Sequence, residues 1–124
     1  MLRGSGSKSG VDVDIRGING DADAAGIGIK YGRDLMLFAE AVASRDAKSL
    51  KICRENLLKA AGQKVVVEAA AVAANFQRMV RIADSTGIPI DKDSLKASKN
   101  VRKDLNLAKF ASARHTAEHY ADFD

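Results

Sequence analysis

The sequence predicts an all-α protein in which four helices form one folded domain. Three observations support this class: apolar residues recur every three or four positions from Tyr31 onward, capping residues separate the periodic segments, and no alternating strand pattern finds a convincing partner. Eight of the ten glycines lie in residues 1–32. We therefore expect a flexible or extended glycine-rich arm over residues 1–30 and an all-α helical domain over residues 31–124.

The first two helices are predicted to follow each other with one capping residue between them. A helix from about Asp34 to Arg45 presents one apolar face. Asp46 is then a natural N-cap for a second helix, because its carboxylate accepts hydrogen bonds from unpaired amides, and Gly62 ends that helix. The apolar positions of the pair are Leu35, Phe38, Ala39, Val42, Leu50, Cys53, Leu57 and Ala61.

The third helix, predicted from Val65 to Ser85, is apolar on nearly every side. Only five polar or charged residues interrupt it before Ala83, namely Glu68, Asn75, Gln77, Arg78 and Arg81. A helix of this composition is typically buried at the centre of a fold. Gly87 and Pro89 follow it and end it, since the residue before a proline avoids the helical conformation.

A single last helix is predicted to begin after Asp91 or Asp93. Its apolar side consists of Ala97, Val101, Leu105, Ala108 and Ala111. Its charged side carries a stripe of lysines at helical spacing, Lys92, Lys96, Lys99 and Lys103. Such a stripe is able to follow phosphates. It lacks interleaved aromatic residues, so we interpret it as a solvated face and keep nucleic-acid binding as the alternative.

Composition and charge exclude several classes of protein. The hydrophobic content of 46% is too high for a wholly disordered chain, and the net charge of +4 does not demand a polyanion. No apolar run reaches the length of about 18 residues that crosses a bilayer. The first residues lack the apolar core of a secretory signal, and a lone cysteine excludes an internal disulfide. We expect a cytoplasmic protein with no membrane partner.

The core of this chain is predicted to be incomplete without a second copy. Alanines at positions 69, 70, 71, 73 and 74 bury little area per residue, and aromatic residues make up only 5% of the chain. At about 25 cal/mol per Å² of apolar surface, the gain barely exceeds the conformational entropy cost. We therefore expect a homo-oligomer.

Residues 67–91 carry a pattern that resembles a known superfamily. A glutamate near the start of an alanine-rich helix, Glu68, is followed by the Asn75-Phe76 pair, by Arg-Ile-Ala-Asp at 81–84 and by the Gly-Ile-Pro-Ile-Asp turn at 87–91. Together with the preceding segment 35–46, this resembles the carboxymuconolactone decarboxylase and alkylhydroperoxidase-like superfamily over about residues 30–95. The resemblance implies that superfamily's helical fold.

The resemblance also implies chemistry that this chain lacks the residues to perform. Peroxidase members use a Cys-x-x-Cys pair, because a second thiol resolves the sulfenic acid formed on the first. Cys53 is the only cysteine and matches no catalytic position, so we interpret it as a buried structural thiol. Decarboxylase members use histidine acid–base chemistry, but His115 and His119 lie outside the matched region. We expect no cofactor and a non-redox role in assembly or in binding a small organic acid.

Within the matched region, four residues are candidates for ligand binding: Glu68, Asn75, Arg78 and Arg81. Glu68 matches the superfamily's acidic position, and Asn75 lies on the same helix face two turns later. Polar groups on an apolar helix need partners, so the two either meet a subunit contact or line a small pocket. Arg81 and Asp84 are spaced to form an ion pair. The alternative hypothesis is a peroxidase-like or decarboxylase-like enzyme of this superfamily with a pocket that uses Glu68 and Asn75; Cys53 is a further catalytic candidate.

Three further motifs are interpreted as structural. His115-Thr-Ala-Glu-His119 has the H-x-x-E-H order of inverted zinc peptidases, but the sequence offers no third ligand after it, so we expect a solvated helix end and no metal. The glycines from Gly26 to Gly32 do not follow a strand, so we expect a flexible connector and not a nucleotide loop. The Asp12-x-Asp14 pair lacks the flanking helices of a calcium site.

Overall fold

The computed structural model describes Gly10 and residues 14–120. Seven α-helices and three short 3₁₀-helices occur in this part of the chain, with no β-strand among them, so the all-α class is confirmed. The chain divides into one compact unit that ends at Gln77 and a second that begins at Arg78. Val11 and Val13, which carry most of the alternating pattern near the start of the chain, lie outside the described residues.

The first unit begins with two short helices in the segment predicted as an arm. A 3₁₀-helix over Ile15–Asn19 is capped by Asp14, and helix α1 over Ala22–Ala25 is capped by Asp21. Ile15, Ala24 and Ala25 are buried. This folded segment differs from the flexible or extended arm that the sequence predicts, because aspartate caps start helical turns that are too short to produce a periodic apolar pattern.

Two glycines in this segment serve close packing. Gly17 and Gly32 are both buried. A Cβ built on Gly17 would lie 2.7 Å from Cα of Ala25, and one built on Gly32 would overlap the carbonyl oxygen of Ala25. Ala25 therefore packs directly against the backbone of Gly17 and Gly32, and any side chain at either glycine would prevent this contact. Gly32 belongs to the glycine-rich stretch predicted as a flexible connector, so that prediction is wrong at its C-terminal end.

Helices α2 and α3 form the hairpin that the apolar spacing predicts. Helix α2 spans Gly32–Ser44 and helix α3 spans Ala47–Ala61. Phe38 and Ala41 on α2 are buried, and Leu57 on α3 is fully buried. Arg45 connects the helices in the left-handed conformation with φ 57°. Both sequence predictions for this hairpin, the N-cap at position 46 and the end at Gly62, are confirmed.

Asp46 holds the start of α3 through three hydrogen bonds. Its Oδ1 accepts from the backbone amides of Lys48 at 3.0 Å and Ser49 at 3.2 Å, and its Oδ2 accepts from the Ser49 hydroxyl at 2.5 Å. These hydrogen bonds hold the pKa of Asp46 below its usual value of 3.8. The bond from the Ser49 hydroxyl is the largest cause, and the bonds from the two amides add to it. The ionised carboxylate is therefore the form that caps the helix.

Helix α4 spans Gln63–Thr86, close to the predicted bounds, but it is not buried. None of its 24 residues is buried in the single chain. Val67, Val72 and Phe76 expose 60%, 56% and 61% of their surface. The prediction of a central, enclosed helix is therefore wrong for the isolated chain. Apolar content predicts that a helix needs a covering surface, but it does not specify which chain supplies that surface.

The second unit contains three short helices where the sequence predicts one long one. Helix α5 spans Lys92–Ala97, helix α6 spans Lys99–Asp104 and helix α7 spans Arg114–His119, with 3₁₀-helices over Leu107–Lys109 and Ala111–Ala113. Asp91, one of the two predicted caps, accepts from the amide of Ser94 at 2.9 Å. None of the described helices is long and apolar enough to cross a membrane.

The predicted long helix is interrupted at Ser98 and at Asn106. The Ser98 hydroxyl donates to the carbonyl of Ser94 at 2.6 Å, a local bond that competes with the helical backbone pattern and bends helices. Asn106 adopts the left-handed conformation with φ 50°, which asparagine tolerates better than most residues. Leu95 on α5 and Leu105, which directly follows α6, are buried on either side of the break at Ser98, so the turn there allows both side chains to be enclosed.

Gly32→Ala is expected to destabilise the protein by about 1–3 kcal/mol, because the added methyl group overlaps the carbonyl of Ala25. Gly26→Ala is the matched control: Gly26 has φ −74°, and a Cβ there would meet its nearest neighbour at 3.4 Å. Urea unfolding followed by far-UV circular dichroism measures both variants. Equal stability of the two would contradict the close packing of Ala25.

Asp46→Asn is expected to flatten the acid dependence of stability while preserving the cap at neutral pH, since asparagine caps helices as well as aspartate does. The pKa of Asp46 is lowered by folding, so its contribution is complete above the usual value of 3.8 and is lost as pH falls through the folded-state value. Urea unfolding between neutral and acidic pH measures the slope. Glu55→Gln, at an exposed position of the same helix, should retain the wild-type slope.

Candidate functional site

The second unit contains an open cavity of about 460 Å³. The last turns of α4, the turn after Gly87, helix α6 and the segment from Leu107 to Thr116 supply its walls. Most of the lining side chains are apolar: Val80, Ala83, Ile88, Ile90, Val101, Leu107, Ala108, Phe110 and Ala113. The polar lining side chains are Asp84, Ser98, Arg102, Ser112, His115 and Thr116. The site is an apolar pocket with a few polar groups, which is the usual composition of small-molecule sites.

Arg102 places a cationic group in this apolar wall. Its Nη2 donates to the backbone carbonyl of Leu95 at 3.1 Å, and its side chain is half-buried. The bond is possible because α5 ends before Ser98 and α6 begins after it, so Leu95 and Arg102 lie on separate helices. This bond holds one edge of the planar guanidinium at the wall of the cavity.

Thr116 and His115 connect helix α7 to the turn that follows α4. Thr116 is only 3% exposed, and its Oγ1 accepts from the backbone amide of Ile90 at 3.1 Å. Gly87 has φ 65°, and a Cβ there would lie 3.4 Å from Nδ1 of His115. The sequence predicts a solvated helix end at this position. The prediction is wrong for His115 and Thr116, because the turn packs against this side of α7 and its Ile90 amide donates to the Thr116 hydroxyl.

The two histidines of the H-x-x-E-H motif lie in different environments. His115 lines the cavity, whereas His119 is exposed and its ring meets the ring of Tyr120 edge-on at 4.6 Å. No group of three metal-binding side chains of the His, Cys, Asp and Glu types occurs between Asp14 and Tyr120. The described residues therefore offer no zinc centre of the peptidase type.

The ligand-binding candidates Glu68, Asn75, Arg78 and Arg81 lie outside the cavity lining. All four are exposed on α4. The Glu68 side chain is 62% exposed, with Oε1 lying 3.9 Å from Nζ of Lys64 one turn earlier. An exposed pair at this distance contributes little to stability. Glu68 and Asn75 are therefore accessible surface residues of the first unit.

Cys53 is a free thiol on α3 that is half-buried. The sequence predicts a buried structural thiol, whereas the structure buries Cys53 only in part. No second cysteine exists in the chain to resolve a sulfenic acid. The candidate catalytic set of Glu68, Asn75 and Cys53 is thus divided between an exposed face of α4 and a different helix.

The lysines predicted to form one stripe are distributed over two helices. Lys92 and Lys96 lie on α5, Lys99 and Lys103 lie on α6, and all four are exposed. The turn at Ser98 interrupts the helical spacing that defines the stripe. Near the start of the described chain, Asp14 caps a 3₁₀-helix and forms an ion pair with Arg16 at 2.6 Å. Asp12, the other residue of the predicted aspartate pair, lies outside the described residues.

Sequence reasoning missed Arg102 and Thr116 as site residues. The basic segment from Lys92 to Arg114 draws attention to its lysines, and Arg102 is one cation among several there. A threonine between a histidine and an alanine carries no motif of its own. The available signal was the Gly87-Ile-Pro89 turn, because a turn of this kind leaves backbone amides that need partners from elsewhere in the fold.

No family model, curated protein or solved structure matches this chain.

Thr116→Val is expected to weaken the link between α7 and the turn after α4, because valine has the same shape but cannot accept the hydrogen bond from Ile90. The cost is about 1 kcal/mol, and the amide of Ile90 should exchange with solvent faster. Hydrogen exchange measured by NMR reports on this amide directly. Thr86→Val, at an exposed position of α4, is the control and should leave the Ile90 amide unchanged.

Proposed function

We propose that this protein is a self-associating helical protein in which copies of the chain cover the exposed apolar side chains of α4. The observation that carries the proposal is that a 24-residue helix with this composition has no buried residue in the single chain. Helices that are apolar on most sides are normally enclosed by other structure. A second copy supplies the same missing surface to both chains, as in two-fold symmetric dimers.

The exposed apolar area of α4 supports a contact of sufficient size. Five large apolar side chains on this helix that do not line the cavity each expose more than half of their surface: Val67, Val72, Phe76, Met79 and Ile82. Enclosing these side chains in two copies removes on the order of 1,000 Å² from water, which is near the lower size limit of specific interfaces. The contact therefore suits a dimer or a larger homo-oligomer.

The polar residues on the same helix are compatible with this assembly. Glu68 and Asn75 lie among exposed apolar side chains of the first unit, and a subunit contact is one of the two roles that their sequence positions suggest. An asparagine in a helix contact is able to specify register and oligomeric state at a cost in stability. The absence of Glu68 and Asn75 from the cavity lining favours the contact over the pocket.

The relation to the alkylhydroperoxidase-like superfamily is part of the proposal. The motif at residues 67–91 supports this relation. Its first part lies on α4, whose bounds are close to the predicted ones, and its last part is the turn after α4. Within such a superfamily this chain acts without dithiol chemistry, because it has a single cysteine. Assembly is then the property retained from the family pattern, since the motif lies on the helix that requires a covering partner.

Val72→Glu is the variant that tests the assembly. A carboxylate at this exposed apolar position should convert oligomers to monomers, because burying an unpaired charge in a subunit contact is strongly unfavourable. Light scattering coupled to size-exclusion chromatography measures the mass at several protein concentrations. Far-UV circular dichroism checks that the variant keeps its helix content.

Ala43→Glu provides the matched control, since it adds the same carboxylate at an exposed position of α2. This variant should keep the wild-type mass. A wild-type protein that is monomeric across the concentration series, or a Val72→Glu variant that retains the oligomer, would overturn the proposal.

A further inference from the structure

We infer that the cavity of the second unit binds a small monocarboxylic acid, with the carboxylate at Arg102 and an apolar body in the remainder of the pocket. Every residue involved lies between Val80 and Thr116, so the inference does not depend on self-association. The site is distinct from the Glu68, Asn75, Arg78 and Arg81 set that the sequence suggests for acid binding.

The dimensions of the cavity suit a small organic molecule. Its volume of about 460 Å³ lies within the range of small-molecule sites, which is roughly 300–1,000 Å³. Several lining side chains are unusually exposed for apolar residues: Ile88 at 63%, Phe110 at 49% and Val101 at 37%. An apolar ligand body would cover these side chains and remove them from water, which is favourable in proportion to the area covered.

The chemistry of Arg102 selects a carboxylate as the polar end of the ligand. Guanidinium groups bind carboxylates through two parallel N–H···O bonds, and such charge-assisted bonds are stronger than neutral ones. The hydrogen bond from Arg102 to the carbonyl of Leu95 fixes the group at the wall, so less conformational freedom is lost on binding. His115, Ser98 and Ser112 supply further polar groups to the lining.

Asp84 restricts the charge of the ligand. It is exposed and belongs to the cavity lining together with Arg102 and His115, which are the other charged or titratable residues there. A second negative charge on the ligand would meet repulsion from Asp84 in the lining. A monocarboxylate therefore fits the site better than inorganic phosphate or a dicarboxylate does.

Calorimetric titration of the full chain with 4-phenylbutyrate tests the inference. We expect saturable binding of 4-phenylbutyrate and much weaker binding of 4-phenylbutanol, which has the same body without the charge, and of inorganic phosphate, which lacks the body. Arg102→Gln should weaken binding by about tenfold or more, since hydrogen bonds to charged groups are the strong ones. Lys103→Gln, which removes one positive charge from an exposed position of the same helix, should bind as the wild type does.

A second variant keeps the test decisive if Arg102→Gln fails to fold. Ala108→Leu fills part of the cavity without changing any charge, so it should also weaken binding. NMR shifts of labelled protein should change at residues of the second unit. Absence of binding to the wild type, equal affinity for the acid and the alcohol, or wild-type affinity in Ala108→Leu and folded Arg102→Gln would overturn the inference.

Discussion

Coverage of the apolar side chains of α4 is the physical requirement on which the structure of this protein depends. Isolated helices are marginal in water, and most helices in proteins are stabilised by packing of an apolar face. Here the longest helix has no buried residue, while the hairpin before it has its own buried side chains in Phe38, Ala41 and Leu57. Packing of this helix is therefore incomplete within the described part of the single chain. This requirement connects the alanine-rich composition of the helix with the self-association that we propose.

Small residues organise the first unit in a different way. Glycines at positions 17 and 32 leave room for Ala25 to approach the backbone, and this contact holds the short N-terminal helices. Large side chains would increase the buried area but would prevent that approach. The unit therefore combines close backbone packing with a limited amount of buried apolar surface. A small core of this kind agrees with an expected dependence on oligomerisation.

Helix breaks create the cavity of the second unit. Ser98 and Asn106 divide what would be one helix into short elements, and the resulting turns allow Leu95 and Leu105 to be buried while Val101 and Phe110 line a pocket. The same break brings the carbonyl of Leu95 to the guanidinium of Arg102. A continuous helix would place its lysines in one stripe and would not form these walls. The pocket and the loss of the stripe thus have a common origin.

Local sequence signals determined the secondary structure where caps and periodicity agree. The α2–α3 hairpin, the cap at Asp46, the end at Gly62 and the extent of α4 were all predictable, because each depends on hydrogen bonds or side chains within a few residues. The folding of residues 14–25 and the break at Ser98 were not predicted, because the local hydrogen bonds that produce them leave no periodic apolar pattern, and the cavity around Arg102 was not predictable because it depends on contacts between residues distant in sequence. The sequence by itself determined that the chain is helical and that α4 is apolar. Only the tertiary structure decided which of those apolar side chains are covered, because burial depends on the positions of other elements and not on the composition of the helix.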